Sequence, residues 1–168
     1  MTSKPTHTIE LHPLGHVRCA LDHHRDDHWG EFASVIELAQ GVSSEVLLGL
    51  EAFSHLEVIY HFDQVPADGV CNDARHPRGR QDWPRVGILA QRARRRPNRL
   101  GLSRCRLVKV EGRRIHVLDL DAIDGTPVVD IKPMMVETLP REALKQPAWS
   151  TELMQNYYSQ PESDEVPQ

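Results

Sequence analysis

Between Gln91 and Ser103 the chain reads QRARRRPNRLGLS, with arginine at 92, 94, 95, 96 and 99 and no carboxylate. Neighbouring guanidiniums repel unless phosphates or acids from another surface neutralise them, so this density predicts a polyanion partner. A merely solvated face is the competing reading. A second group, Asp22 to His28 (DHHRDDH), offers three histidines and three aspartates, the side chains that zinc or iron would use. His23, His24 and His28 nevertheless match no strong ligand spacing, and no metal is expected there. Trp29, which follows, is large and aromatic within a polar run, suited either to covering a ligand or to packing back on the core.

Two further groups involve carboxylates. Asp119, Asp121, Asp124 and Asp130 are spread through DLDAIDGTPVVDIKP, in which Asp124-Gly125 opens a tight turn and Pro127 fixes the backbone beyond it. Asp130 and Lys132 share one strand face, where they can pair with each other or address a ligand. In LEAFSHL (Leu50–Leu56), His55 has the chemistry of a general base, although a histidine flanked by apolar residues more often serves structure. Asp63 and Gln64, at the end of the strand that follows, would stand on a rim where a carboxylate and an amide can hold ribose hydroxyls or an amine.

The elements that position these groups are mostly strands. Short-period apolar patterns at Ser34–Leu38, Leu56–Phe62, Val86–Ala90, Leu102–Val110 and Ile115–Leu120 read as β-strands, the last two joined as a hairpin. A helix is expected from Ser43 or Ser44 through Leu50, and another from Arg141 to Tyr158, interrupted at Pro147. Many strands and few helices predict a mainly β fold: a small closed or nearly closed β-barrel with a few short helices. The expected organisation is a disordered segment 1–8, a barrel over 9–136, a helical extension over 137–158 and an acidic tail over 159–168.

Composition narrows the classes of function. The chain has 168 residues and a net charge of −4, which by itself implies no nucleic-acid partner. The charge is segregated, however: from Arg75 to Arg106 there are eleven arginines against the single acid Asp82. Three separated cysteines without a CxxC pair give no support for a disulfide framework, and no apolar run approaches the roughly 20 residues of a membrane span. A cytoplasmic protein is expected. No GxG occurs anywhere in the chain, which argues against a Rossmann-type nucleotide crevice.

LEAFSHL, RVG at Arg85–Gly87, the R-x-x-x-R-P-N-x-x-G-L-S pattern from Arg92 to Ser103, and DGTPVVDIKP from Asp124 to Pro133 occur in that order. In these four motifs the chain resembles the TrmO family, also called YaeB-like or TsaA-like, over about Pro13 to Pro133, as a short form. The resemblance implies a small β-barrel that binds S-adenosylmethionine without a Rossmann domain and forms homodimers. It also implies N6-methylation of threonylcarbamoyl adenosine at position 37 of tRNA. The cofactor contacts it implies are His28, Trp29 and Gly30, then Asp63 and Gln64, Arg92, Leu102, Leu120 and Asp121. Arg92 would face inward to a carboxylate, and Arg94, Arg95 and Arg99 outward to RNA phosphates. No catalytic residue is assigned; for a base, Asp63 and His61 are geometric candidates, and the substrate's own carboxylate is a third. The competing classes are a non-catalytic RNA-binding barrel, a methyltransferase with another small-molecule or RNA acceptor, and a metal-dependent hydrolase on His23, His24 and His28.

Overall fold

The computed structural model describes residues 7–160. Six antiparallel strands close into a barrel in the order β1-β2-β7-β6-β3-β8: β1 (Gly15–Arg18), β2 (Ala33–Leu38), β3 (His55–His61), β6 (Leu100–Glu111), β7 (Arg114–Leu118) and β8 (Pro127–Pro133). The small pair β4 (Ala74–Arg75) and β5 (Val86–Gly87) lies outside it as a separate two-stranded sheet. The expected mainly β barrel is therefore the fold.

Period-two alternation builds the core. Along β2 and β3 every second residue is buried, so Ile36, Leu56 and Val58 face inward to meet Val17, Cys105, Ile115, Val117 and Val128. Each such aliphatic side chain contributes about 1.5–3 kcal/mol on burial. Closure leaves no unpaired edge on the barrel, although β1 has only four residues. The strands read from the apolar pattern did not include β1, which is short and half polar, nor β4 and β8.

Several expected elements differ. Of Val86–Ala90 only Val86–Gly87 is extended; Ile88–Ala90 is a tight turn, and the buried carboxamide of Gln91 donates to the carbonyls of Arg75 and Val86, both at 3.0 Å, fixing β4 and β5 as an arm. The helix expected from Ser43 is two 3-10 turns, Ser44–Leu47 and Leu50–Ala52. Ser43 caps the first through Glu45 N at 3.2 Å, and Gly49, at φ 81°, breaks the run. Of Arg141–Tyr158 only α1 (Ala148–Leu153) is helical, with Pro147 at its N-cap. β7 stops at Leu118 because Asp119 takes φ 71°, short of the expected Leu120. The β6–β7 hairpin forms as expected, turning at Gly112 with φ 60°. Expectations for residues 1–6 and 161–168 lie outside the described residues.

Because neighbouring strands alternate in direction, one end of the barrel gathers the ends of β1, β3 and β7 and the starts of β2, β6 and β8. Three connections rise from that end, numbered 19–32, 62–99 and 119–126. Of the expected cofactor and RNA contacts, all belong to one of these connections except Leu102, at the start of β6; His61, a candidate base, ends β3 at the same rim.

Candidate functional site

Asp121 is the centre of this rim. The phenol of Tyr60 donates to Asp121 Oδ1 at 2.9 Å and to its carbonyl at 3.0 Å, while the phenol of Tyr157 donates to Oδ2. Asp121 N donates to Ser103 Oγ at 3.4 Å, tying the 119–126 connection to β6. Asp121 forms no ion pair among the described residues. Burial first, and the Asp121 charge second, push the phenols of Tyr60 and Tyr157 well above their ordinary range. Tyr158 is raised by the same two causes. The positive charge of Arg92 acts on all three phenols in the opposite sense.

Arg92 is exposed and donates to the carbonyl of Leu102, itself 38% exposed on the outer face of β6. Arg92, Leu102 and Asp121 are thus brought together. Asp63 and Gln64 follow β3 on the same rim and are exposed.

The other aspartates singled out from the sequence are structural. Asp119 accepts from Glu31 N at 2.7 Å and from Arg106 Nε at 2.8 Å; Asp124 accepts from Cys19 N at 3.1 Å. Asp130 and Lys132 pair with one another at 2.8 Å. His55 is exposed and bonded to Ser54 Oγ at 2.8 Å.

Some named residues take no side-chain part. Leu120 is fully buried in the core. Trp29, at 3% exposure, packs edge-on to Phe32 with centroids 5.9 Å apart, and the Arg25 guanidinium lies 4.5 Å over its ring. His28 N and Trp29 N donate to the carbonyls of Asn156 and Tyr157, at 3.0 and 2.8 Å. A Cβ on Gly30 would stand 1.8 Å from the carbonyl oxygen of Tyr158.

The arginine run divides. Arg96 donates to the carbonyl of Gln91 at 3.0 Å, and Arg99, at φ 51°, turns its guanidinium onto the carbonyl of Val65 at 2.6 Å. Arg99 is half-buried, unlike the wholly outward side chain expected. Arg94 and Arg95 are exposed and pair with no carboxylate among the described residues. The histidine group also separates: His23 bonds Asp22 at 3.0 Å and His28 bonds Ser159 at 2.9 Å. His24 has its pKa lowered by burial first and then by Arg94, with Asp63 opposing. His61 is lowered by burial and then by Arg99, again with Asp63 opposing.

An open groove of about 820 Å³ bordered by Arg18, Glu37, Arg113 and Arg114 contains none of the rim residues above. Its charges are satisfied internally. Glu37 pairs with both Arg18 and Arg114, and Arg113 donates to the carbonyls of Leu38, Ala39 and Val42.

Tyr60, Tyr157 and Gly101 were not found by sequence reasoning. Gly101 sits opposite Tyr60 in the β3–β6 ladder and lies within the G-L-S motif, the one signal that pointed toward this spot.

Comparison with known proteins agrees with this architecture. The sequence profile described as "tRNA-methyltransferase O N-terminal domain" matches residues 25–138. A Pyrococcus abyssi protein described as "Probable S-adenosyl-L-methionine-binding protein" is 38% identical over 107 residues, 61% of this chain and 53% of that protein. The tRNA (adenine(37)-N6)-methyltransferase of Escherichia coli is 40% identical over 103 residues, 58% of this chain and 43% of that enzyme. The crystal structure of TrmO from Pseudomonas aeruginosa superposes with a TM-score of 0.70 at 25% identity, over 88% of this chain and 64% of that one. This chain spans about half the length of these two curated relatives. With the profile covering more than half of its residues, the chain belongs to the family defined by the tRNA-methyltransferase O N-terminal domain.

Proposed function

We propose that this chain is an S-adenosylmethionine-dependent methyltransferase that acts on N6 of the threonylcarbamoyl adenosine at position 37 of tRNA. Family membership and the printed names of the relatives support the class. The observation that carries the reading is a carboxylate, Asp121, that forms no ion pair among the described residues and is held by two phenols and by Ser103, next in the chain to the Leu102 carbonyl that Arg92 bonds.

The donor set suits this cofactor. Its amino-acid end is a zwitterion, for which Arg92 offers two parallel donors to the carboxylate and Asp121 offers acceptors to the cation. Asp63 and Gln64 provide acceptors and donors for ribose hydroxyls. Leu102 supplies an exposed apolar wall, and Leu120 contributes through its main chain alone. His28, Trp29 and Gly30 shape the neighbouring loop by packing and main-chain bonds.

When bound, S-adenosylmethionine supplies a methyl group already activated by a good leaving group. The protein's task is then alignment and exclusion of water, not generation of a nucleophile. His61, half-buried at the end of β3, and Asp63, exposed two residues further on, are the rim groups able to accept the N6 proton. Arg94 and Arg95 bind tRNA phosphates, with Arg99 bracing the base of the same segment through Val65.

A homodimer working in the cytoplasm, where tRNA is modified, is part of the proposal; exposed Leu89 gives it apolar surface. No helix among the described residues is long and apolar enough to cross a membrane. The test is a deletion strain followed by mass spectrometry of its tRNA nucleosides. Loss of one N6-methylated threonylcarbamoyl adenosine, restored by the gene, is the expected result. An unchanged profile rejects the acceptor, and a silent calorimetric titration with S-adenosylmethionine rejects the class.

A further inference from the structure

The chain leaves the barrel at the wrong end for the site. β8 begins at the rim that carries Asp121 and ends at Pro133, paired with Leu56 near the start of β3, at the opposite end. Residues 139–147 then run exposed throughout. The segment from α1 to Ser159 is nevertheless back at the site rim, held by five separate contacts. Trp83 Nε1 donates to Glu152 Oε2 at 2.8 Å, and the amides of His28 and Trp29 donate to the carbonyls of Asn156 and Tyr157. The ring of His28 bonds Ser159 Oγ at 2.9 Å, and the phenol of Tyr157 donates to Asp121. This strap lies beyond the residues matched by the family profile, which end at 138.

A carboxylate has about four lone-pair positions. Tyr60 occupies one on Oδ1 and Tyr157 one on Oδ2, which fixes the plane of the group and leaves two positions without a partner among the described residues. Both partners are neutral, so the charge of Asp121 is oriented without being cancelled. A half-buried anion held in this way is matched by a ligand that brings its own cation.

We propose that Tyr157 is a positioning residue of the cofactor site, holding Asp121 from the strap so that its free lone pairs receive the α-ammonium group of S-adenosylmethionine. This rests on the methyltransferase reading above. The strap thereby forms part of the binding site, and the barrel alone is an incomplete one.

The experiment compares wild-type protein with Tyr157→Phe, which removes only the hydroxyl, by calorimetric titration with three probes. S-adenosylmethionine and S-adenosylhomocysteine carry the ammonium; 5′-methylthioadenosine lacks the whole amino-acid end. The expected result is a Kd about tenfold weaker for the first two in the variant, with the third unchanged, in the range of one hydrogen bond to a charged group. Unchanged thermal unfolding of the variant accompanies it, and a merely structural role for Tyr157 predicts equal weakening for all three probes. Equal Kd values in both proteins overturn the inference while leaving the reading intact. Tighter binding in Tyr157→Phe also overturns it, because the phenol would then be competing with the ligand. A wild-type protein silent to every probe removes the reading and this inference together.

Discussion

Gly101 and Tyr60 face each other across the β3–β6 ladder with no room for a side chain between them: a Cβ on Gly101 would lie 2.4 Å from two ring carbons of Tyr60. The ring is 2% exposed and braced edge-on by Phe62, centroids 5.2 Å apart, so it has nowhere to retreat. The bare backbone of Gly101 is what lets the Tyr60 phenol reach Asp121. Gly101→Ala should cost about 1–3 kcal/mol, as overpacking of a closed interior does. It should also weaken S-adenosylmethionine binding. A variant with wild-type urea midpoint and wild-type affinity would show that the ring tolerates displacement.

That relationship marks the limit of what could be read in the sequence. The barrel was legible because Ser34–Leu38 and Leu56–Phe62 alternate with period two, which local chemistry dictates. Val86–Ala90 looked equally extended, yet whether a short apolar run joins a barrel or an arm depends on distant partners; here Gln91 bonding to Arg75 and Val86 decides it. Asp121 and Arg92 were reached through motif resemblance. Tyr60 was hidden by its strand, where an aromatic at an inward position reads as core. Tyr157 was hidden by distance, because no local pattern announces that a segment leaving one end of a barrel returns to the other.

The chain has only three tyrosines, Tyr60, Tyr157 and Tyr158, and all three are raised by burial and by the Asp121 charge. An ultraviolet titration of native protein should therefore show little tyrosinate at the ordinary phenol pKa of about 10, and the full change once denaturant is added. The sign of the linkage follows. A phenol whose folded pKa is raised stays protonated longer in the folded state, so its contribution is complete below the unfolded value and declines as pH rises beyond it. Stability should fall with pH above about 10, less steeply in Tyr157→Phe. Normal titration of all three in native protein would contradict the cluster.

The five arginines of the basic run should separate by function. None of Arg92, Arg94 and Arg95 has a carboxylate partner among the described residues, but Arg92 is bonded to the Leu102 carbonyl, next to the Ser103 hydroxyl that receives Asp121 N. Arg95→Ala should weaken tRNA retention and lower the salt dependence of binding by roughly one ion, leaving S-adenosylmethionine affinity unchanged. Arg92→Ala should do the reverse, by about tenfold in cofactor Kd. Filter binding across a salt series and calorimetry on the same preparations decide it. Equal loss of both affinities in each variant would reject the division.

Gly30 gives a direct means of loosening the strap without touching Tyr157. Its Cα sits against the main-chain carbonyl of Tyr158, and a Cβ there would come within 1.8 Å of a backbone oxygen, which cannot rotate aside as a side chain end can. Gly30→Ala must therefore push the strap outward. The first bonds to break would be those from His28 N to Asn156 and from Trp29 N to Tyr157. The barrel, whose core residues Ile36, Val58 and Ile115 lie elsewhere, should keep its unfolding midpoint. Hydrogen exchange should accelerate at the His28 and Trp29 amides while the amides of β3 and β6 stay protected. Trp83 should lose its bond to Glu152 and shift its emission, since its indole nitrogen would exchange a carboxylate for water. If exchange at residues 28 and 29 is unaltered in Gly30→Ala, the strap is not seated against this loop in solution, and Tyr157 cannot be holding Asp121 from it.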